Sequence, residues 1–215
     1  MHSNLQISRT LAKNEIRMES HNKTVSSEAM QAEWLEIQEA QVSPAKFRPL
    51  YNRYYEAIFR FVYRRTADES LTADICAQVF LKALQRIQKY QFKGVPFSAW
   101  LYRIASNEVA QHFRNSQKNR VISLNDHHID GLIDDIDQDS NKEILQKALV
   151  NALNELKLKD LQLIELRFFE QRPFKEIAEI LEITESNAKV KTYRILEKMK
   201  KFIVKNNGPG RAPTA

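Results

Sequence analysis

Residues 185–204 carry basic side chains at helical spacing. Asn187, Lys191, Arg194 and Lys198 follow one another at steps of four, three and four residues, which places them on one face of a helix. When such a helix enters the major groove of DNA, arginine and lysine suit guanine edges and phosphates, and asparagine suits adenine. For a basic helix taken alone, the alternative is a solvated face that binds no ligand.

A second polar stripe lies near the middle of the chain. Arg103, Asn107, Gln111 and Arg114 recur at steps of four, four and three residues, so a helix would place them together. Such a face can meet phosphates and bases and hold a single strand. Trp100 lies one turn before the stripe, where its ring could stack on an exposed base. Aromatic residues at helical spacing are more often core residues, and this interpretation is favoured for Trp100.

Residue types needed for catalysis or metal binding do not cluster in the sequence. His127 and His128 are adjacent and cannot form a helical metal pair. Cys76 is the single cysteine, which excludes an intramolecular disulfide and a cysteine-based metal cluster. No glycine-rich phosphate loop or nucleophile motif is found. We therefore predict that the protein is not an enzyme and uses no metal or cofactor.

The composition favours helices and a polyanionic partner. The 215 residues include only 4 glycines and 6 prolines, and the formal net charge is +6. The scarcity of turn formers favours long helices, and the positive charge weakly favours nucleic acid. The N-terminal segment lacks the apolar stretch of a signal peptide, and no window approaches the roughly 18 apolar residues of a membrane span. A cytoplasmic protein without membrane insertion is expected.

Helical periodicity predicts an all-α protein whose first small domain spans residues 44–118. Apolar residues recur at three- and four-residue steps over residues 47–62, 71–87 and 97–115, and three such helices can share one core. Residues 1–43 precede this domain as a partly disordered extension. A short amphipathic stretch within the extension, over residues 30–40, favours a helix that stops before Pro44.

A second small helical domain is predicted over residues 143–205, followed by a disordered tail at 206–215. Two of its helices, Pro173–Leu181 and Glu185–Val204, are separated by only three residues, which is the outline of a helix-turn-helix. The hydroxyl of Thr184 can cap the second of these helices, with Ile183 as the apolar staple before it. The turn and the cap together favour DNA over the solvated-face alternative for the basic helix.

Residues 119–142 are predicted to be a flexible acidic linker between the two domains. Their apolar residues show no sustained helical period, and a solvated spacer is the plain interpretation. The carboxylates of this linker are those of Asp126, Asp130, Asp134, Asp135, Asp137 and Asp139.

Three segments resemble motifs of bacterial sigma factors of the sigma-70 family, in the small extracytoplasmic-function (ECF) type that has regions 2 and 4 only. Residues 74–80 (DICAQVF) resemble the helix that docks on the clamp of core RNA polymerase. Residues 97–107 (FSAWLYRIASN), continuing to Arg114, resemble the promoter-melting helix. Residues 176–181 (EIAEIL), followed by Lys189, Lys191 and Arg194, resemble the motif that reads the −35 element.

The resemblance implies a transcription initiation factor whose partners are core RNA polymerase, promoter DNA and an anti-sigma factor. Contact with core polymerase is implied for Asp74, Gln78 and Phe80. The residues implied for the −10 element are Tyr90, Gln91, Lys93, Trp100, Arg103, Asn107, Gln111 and Arg114. The residues implied for the −35 element are Asn187, Lys189, Lys191, Tyr193, Arg194 and Lys198.

Two connecting segments gain a role from the same resemblance. The loop 90–98 occupies the place where family members trap a base flipped from the non-template strand, although an ordinary helix–helix loop is the alternative. The acidic linker would pass through polymerase channels that hold polyanions, where its aspartates would mimic RNA.

The sequence departs from the family pattern at several positions. Ala77-Gln78 stands where the family usually has Gln-Glu, which removes a carboxylate from the polymerase-facing helix. Gln111 replaces a common aspartate, and Glu182 replaces a common glycine of the helix-turn-helix.

A conventional helix-turn-helix regulator is the alternative function. It explains the second half of the chain equally well, but not residues 74–80, the Trp100 helix or the acidic linker. Gel filtration with core polymerase discriminates the two, because a sigma factor co-elutes with it and a repressor does not.

Overall fold

The described residues of the computed structural model, 25–116, 132 and 142–207, form helices and turns and include no β-strand, as the all-α prediction requires. The α-helices are α1 (Ser27–Val42), α2 (Arg48–Thr66), α3 (Glu69–Arg86), α4 (Phe97–Ser116), α5 (Lys142–Asn154), α6 (Leu158–Ile164), α7 (Phe174–Leu181) and α8 (Glu185–Asn207). Short 3-10 helices occur at Pro44–Phe47 and Ile87–Lys89, and a π-helical segment occurs at Glu165–Phe169.

Helices α1 to α4 form the first group. The side chain of Asp68 accepts a hydrogen bond from the backbone N–H of Leu71 at 2.9 Å and so caps α3. Ala67, just before it, takes a left-handed conformation that ends α2. Apolar faces of α2, α3 and α4 meet in one core, as the periodicity predicted, and its fully buried members include Leu50, Ile58, Phe61, Val62, Val79, Ala83, Leu101, Ala105 and Val109.

Helix α1 belongs to this first group, although the sequence placed it in a loosely structured extension. It ends at Val42, before Pro44, as predicted, and Ser26 caps its start by accepting from the N–H of Ala29 at 3.2 Å. Ile37 and Ala40 are each 1% exposed, so one face of α1 completes the core of the first group. Residues 1–24 lie outside the described residues.

Helices α5 to α8 form the second group, which contains the predicted helix-turn-helix. The hydroxyl of Thr184 accepts a hydrogen bond from the backbone N–H of Asn187 at 3.2 Å, which confirms the predicted cap of α8. Glu182 ends α7 in the left-handed region, with φ of 55°. Ala188, Ile195 and Met199 turn one face of α8 into the core of this group.

The acidic linker cannot be compared with its prediction, because all six of its aspartates lie outside the described residues. Leu132 is the one residue described between 117 and 141, and its side chain is fully buried.

Labelling of Cys76 tests whether the face of α3 that carries this residue is buried. Its thiol is fully buried, and burial raises the pKa of Cys76 to about 12. At pH 8 only roughly one thiol in ten thousand would therefore be the reactive thiolate. We expect an aromatic disulfide reagent to label the native protein far more slowly than the protein in guanidinium chloride. Equal labelling rates would show that α3 does not bury this face.

Candidate nucleic-acid interface

The outer face of α3 carries two of the three residues implied for polymerase contact. Asp74 and Gln78 are exposed and lie one helical turn apart, with Leu81 beside them. Phe80 is only 4% exposed and packs edge-on against the ring of Tyr51, with centroids 4.8 Å apart. The structure thus places Phe80 in the core, where it can support the docking face but presents almost no surface to a partner.

The loop between α3 and α4 encloses a cavity of about 170 Å³. It brings together five of the residues predicted for the −10 element, Tyr90, Gln91, Lys93, Trp100 and Arg103. Gly94 allows the loop to turn, with φ of 69°, a conformation that side chains rarely adopt. The cavity combines aromatic walls with an amide and cationic groups, which suits a base and its phosphate.

Aromatic packing shapes one wall of this cavity. The ring of Tyr90 lies 5.0 Å from that of Trp100 and 5.2 Å from that of Phe97, centroid to centroid. Burial, together with the negative charges of Glu33 and Glu179, raises the pKa of Tyr90 to about 12. Its phenol, like that of an ordinary tyrosine, is protonated at neutral pH and can donate a hydrogen bond.

Trp100 combines the two roles that the sequence left open. It is half-buried and packs against Phe97 at 5.3 Å, as a core residue would. It also lines the cavity, so part of its ring faces the space where a base could stack.

The rest of the α4 stripe does not reach the cavity. Asn107, Gln111 and Arg114 are exposed along the helix beyond it, while Arg103 is only half-exposed. At 1.5 Å per residue, the stripe from Arg103 to Arg114 runs about 16 Å. A single strand leaving the cavity could therefore follow α4 over this length.

The residues predicted for the −35 element divide into two sets on α8. Asn187, Lys191, Arg194 and Lys198 form one exposed stripe, as their spacing predicted. Lys189 and Tyr193 are half-buried beside it. The ammonium of Lys189 lies 3.5 Å from a carboxylate oxygen of Glu185 and 6.0 Å from the ring centroid of Phe174, so its contacts lie within the second group.

Two ion pairs join the −10 residues to the helix-turn-helix, and sequence reasoning missed both. The ammonium of Lys93 lies 3.0 Å from a carboxylate oxygen of Glu179 on α7, and the guanidinium of Arg103 pairs with the carboxylate of Glu182. Glu179 also lines the loop cavity. Helix α7 therefore lies across the surface predicted to bind the −10 element.

Buried polar groups hold this arrangement beneath the exposed pairs. Arg65 at the end of α2 is 0% exposed, and its Nε donates to Glu165 of the π-helical segment at 2.7 Å. Tyr102 of α4 donates to Glu170 at 2.5 Å, and the guanidinium of Arg172 lies 4.7 Å from the centroid of the Tyr102 ring. In the sequence, Glu165 among the apolar residues of the segment 161–169 was a signal for such a contact.

Other kinds of site are not seen among the residues that the structure describes. They include no group of three or more His, Cys, Asp or Glu side chains placed to hold a metal ion. Within the same ranges, no helix combines the length and the apolar character that a membrane crossing requires.

Two family models match the chain in the order that the resemblance implied. Sigma-70 region 2 matches residues 50–119, which contain the docking face, the loop cavity and α4. Sigma-70 region 4 matches residues 146–199, which contain the helix-turn-helix.

Curated relatives include ECF RNA polymerase sigma factors. The chain is 28% identical over 169 residues to the ECF RNA polymerase sigma factor BldN of Streptomyces coelicolor, which covers 78% of this chain and 64% of BldN. It is 24% identical over 152 residues to the ECF RNA polymerase sigma factor SigM of Bacillus subtilis, covering 70% of this chain and 91% of SigM.

A solved structure shares the fold. The sigma factor RpoE of Bartonella quintana, crystallised in complex with the anti-sigma factor NepR, superposes with a TM-score of 0.51 at 17% identity, over 73% of this chain and 96% of that one. The two family models, the relatives and the helical architecture agree. The chain therefore belongs to the sigma-70 family and is an ECF sigma factor with regions 2 and 4.

Proposed function

We propose that this chain binds core RNA polymerase, directs it to promoters and reads a −10 and a −35 element. One observation supports this role above all: a loop cavity with aromatic walls and cationic groups lies in region 2, and an exposed basic stripe lies on the second helix of region 4. We assign binding of core polymerase and of the −10 element to residues 44–118, and binding of the −35 element to residues 143–205. The alternative function, a helix-turn-helix regulator, does not explain why residues 50–119 match sigma-70 region 2.

The −10 element would be read from a single strand. Flipping a base out of a duplex costs a few kcal/mol, which stacking and edge hydrogen bonds in a pocket offset. Tyr90 and Trp100 offer aromatic surface, Gln91 offers an amide for a base edge, and Lys93 and Arg103 offer cations for phosphates. Asn107, Gln111 and Arg114 would guide the strand along α4. No bond is made or broken by these residues, so the role is binding rather than catalysis.

The −35 element would be read from duplex DNA. The exposed stripe of α8 fits a major groove, with its N-terminal end, at Asn187, nearest the base edges. Lys189 and Tyr193, beside the stripe, would support it from within region 4.

Two protein partners follow from this role. Asp74 and Gln78 would contact the clamp of core polymerase, with Ala77 and Leu81 as apolar neighbours. An anti-sigma factor is proposed because the sigma factor RpoE, which shares the fold, was crystallised with one. The site of action would be the cytoplasm.

Promoter binding requires that the contact between the two regions opens. While Lys93 and Arg103 pair with Glu179 and Glu182, their charges are already neutralised, and Glu179 of α7 lines the loop cavity. We infer that the arrangement is a closed form in which DNA would compete with region 4 for this surface of region 2.

Charge reversal at Asp74 tests the polymerase contact. Asp74→Lys should weaken binding to core polymerase about tenfold, because a cation would replace the anion of the proposed contact and lost charge complementarity weakens association. Titration of labelled protein with core polymerase measures this affinity. Glu56→Lys is the matched control, because Glu56 is exposed on α2 and pairs only with Arg60 among the contacts seen. Equal affinities of the two variants for core polymerase would show that α3 is not part of the interface.

Alanine variants along α8 separate base contacts from phosphate contacts. Loss of a bidentate base contact at Lys191, Arg194 or Lys198 should cost about 1–3 kcal/mol and relax sequence choice at one position. Loss of a phosphate contact should weaken binding to all sequences and lower the salt slope by about one unit. Binding to promoter duplexes at several salt concentrations measures both. Lys200→Ala, off the stripe, should change neither, and unchanged binding in all variants would contradict the assignment.

Glu182→Lys tests the closed form. An exposed ion pair contributes about 0–1 kcal/mol, and its reversal adds repulsion against Arg103. We expect binding of a single-stranded −10 oligonucleotide to tighten about threefold to tenfold. Fluorescence anisotropy measures the affinity, and small-angle scattering measures the accompanying expansion.

Glu185→Lys is the control for this variant. It makes the same charge change three residues away, where the carboxylate pairs with Lys189 on its own helix. An equal gain in both variants would indicate a general charge effect and count against the closed form.

A further inference from the structure

Helix α1 precedes the residues that match the region 2 model, yet it holds the loop that encloses the cavity. The side-chain amide of Gln41 donates to the carbonyl oxygen of Ile87 at 3.0 Å and to that of Tyr90 at 2.9 Å. An amide group has two N–H donors, and here each one serves a separate carbonyl at the start of the loop. The contacts join positions 46 and 49 residues apart in the chain.

Glu33 of α1 holds the other end of the loop. One of its carboxylate oxygens accepts a hydrogen bond from the backbone N–H of Phe97, the first residue of α4, at 3.2 Å. That N–H has no partner within the helix, and a negative charge is favourable at a helix N-terminus. Tyr54 and Arg53 donate to the other oxygen, so the carboxylate, 7% exposed, is fixed in position.

Trp34 covers the span between these two anchors. Its ring centroid lies 6.1 Å from that of Tyr90 and 6.1 Å from that of Phe92, and the ring planes of Trp34 and Phe92 are 26° apart. One helix therefore contacts the loop at its start, its middle and its end.

We propose that α1 is a positioning element for recognition of the −10 element, with Gln41 as its principal positioning residue. Residues 90–96 have no helix or sheet of their own to fix their shape. Ordering such residues at the moment of binding would cost conformational entropy, and a loop held in advance avoids that cost. Because Gln41 fixes the backbone at Tyr90, it sets where the aromatic wall of the cavity stands. This inference depends on the proposed reading of the −10 element by the loop.

Replacing Gln41 by methionine tests this role. The side chain keeps its length and loses both donors, so Tyr90 is released while the apolar packing is retained. Gln38→Met is the matched control: it is the same substitution on the same helix, at an exposed position. Circular dichroism and the protection of Cys76 from labelling establish that each full-length variant is folded.

The measurement is transcription by reconstituted polymerase from a barcoded template library in which the −10 and −35 positions are both randomised. We expect Gln41→Met to reduce the preference for the favoured −10 bases about twofold to tenfold, since two hydrogen bonds that place the loop are lost. Preference at −35 should be unchanged. Gln38→Met should match the wild type at both elements.

A folded Gln41→Met protein with an unaltered −10 preference would overturn the positioning role. Equal loss of preference at −10 and −35 would also overturn it, because a general structural defect would then be the cause. If the wild type itself gave no promoter-dependent transcripts, the proposed function would fail, and the inference with it. If Gln41→Met failed to fold, Glu33→Gln would provide the same comparison, since the uncharged side chain holds the Phe97 N–H more weakly.

Discussion

The buried ion pair between Arg65 and Glu165 is the contact on which the arrangement of the two regions depends. The two side chains are 0% and 1% exposed and lie 100 residues apart in the chain. Each charge is tolerable in this environment only because the other is present, since an isolated buried charge costs several kcal/mol. The pair thereby fixes the π-helical segment against the end of α2. In the same arrangement α7 packs along α4, and Glu179 and Glu182 pair with Lys93 and Arg103.

Promoter binding, as proposed, requires this contact to open, and in the open form the charged groups of the contact would be solvated together. A substitution that removes one member of the buried pair leaves the other charge buried without a partner. Separation of the two regions instead exposes both charges to water. The exposed pairs cost little to break, and phosphate oxygens can take the place of their carboxylates. If Lys93 and Arg103 bind the −10 element as proposed, DNA phosphates would compete with the carboxylates of region 4 for these two cations. The proposed closed form would then be stabilised by contacts of the same chemical kind as those that promoter DNA offers in exchange.

Local features of this fold could be predicted from the sequence, and its long-range contacts could not. Helix positions follow from apolar spacing, and the Thr184 cap follows from a hydroxyl placed just before α8, because both depend on neighbours in the chain. The stripe of α8 followed in the same way, whereas the family resemblance assigned Tyr90 and Trp100 to the same element. The ion pairs between regions 2 and 4 involve charged residues that look like ordinary surface residues, such as Glu179. Phe80 shows a second limit of sequence reasoning. The motif implied that Phe80 contacts polymerase, but a motif does not say which way a side chain points, and this one lies in the core.

Glu182 shows how the closed form accounts for a departure from the family pattern. The turn before the recognition helix requires a left-handed residue, and glycine, common there in the family, would adopt it without strain. A glutamate with φ of 55° costs about 1 kcal/mol or more. Only a side chain at this position, however, reaches Arg103 from the turn. The contact with region 2 thus offsets part of the local strain in the helix-turn-helix, because an exposed ion pair contributes about 0–1 kcal/mol. A residue that is unfavourable within region 4 therefore gains a partner in region 2.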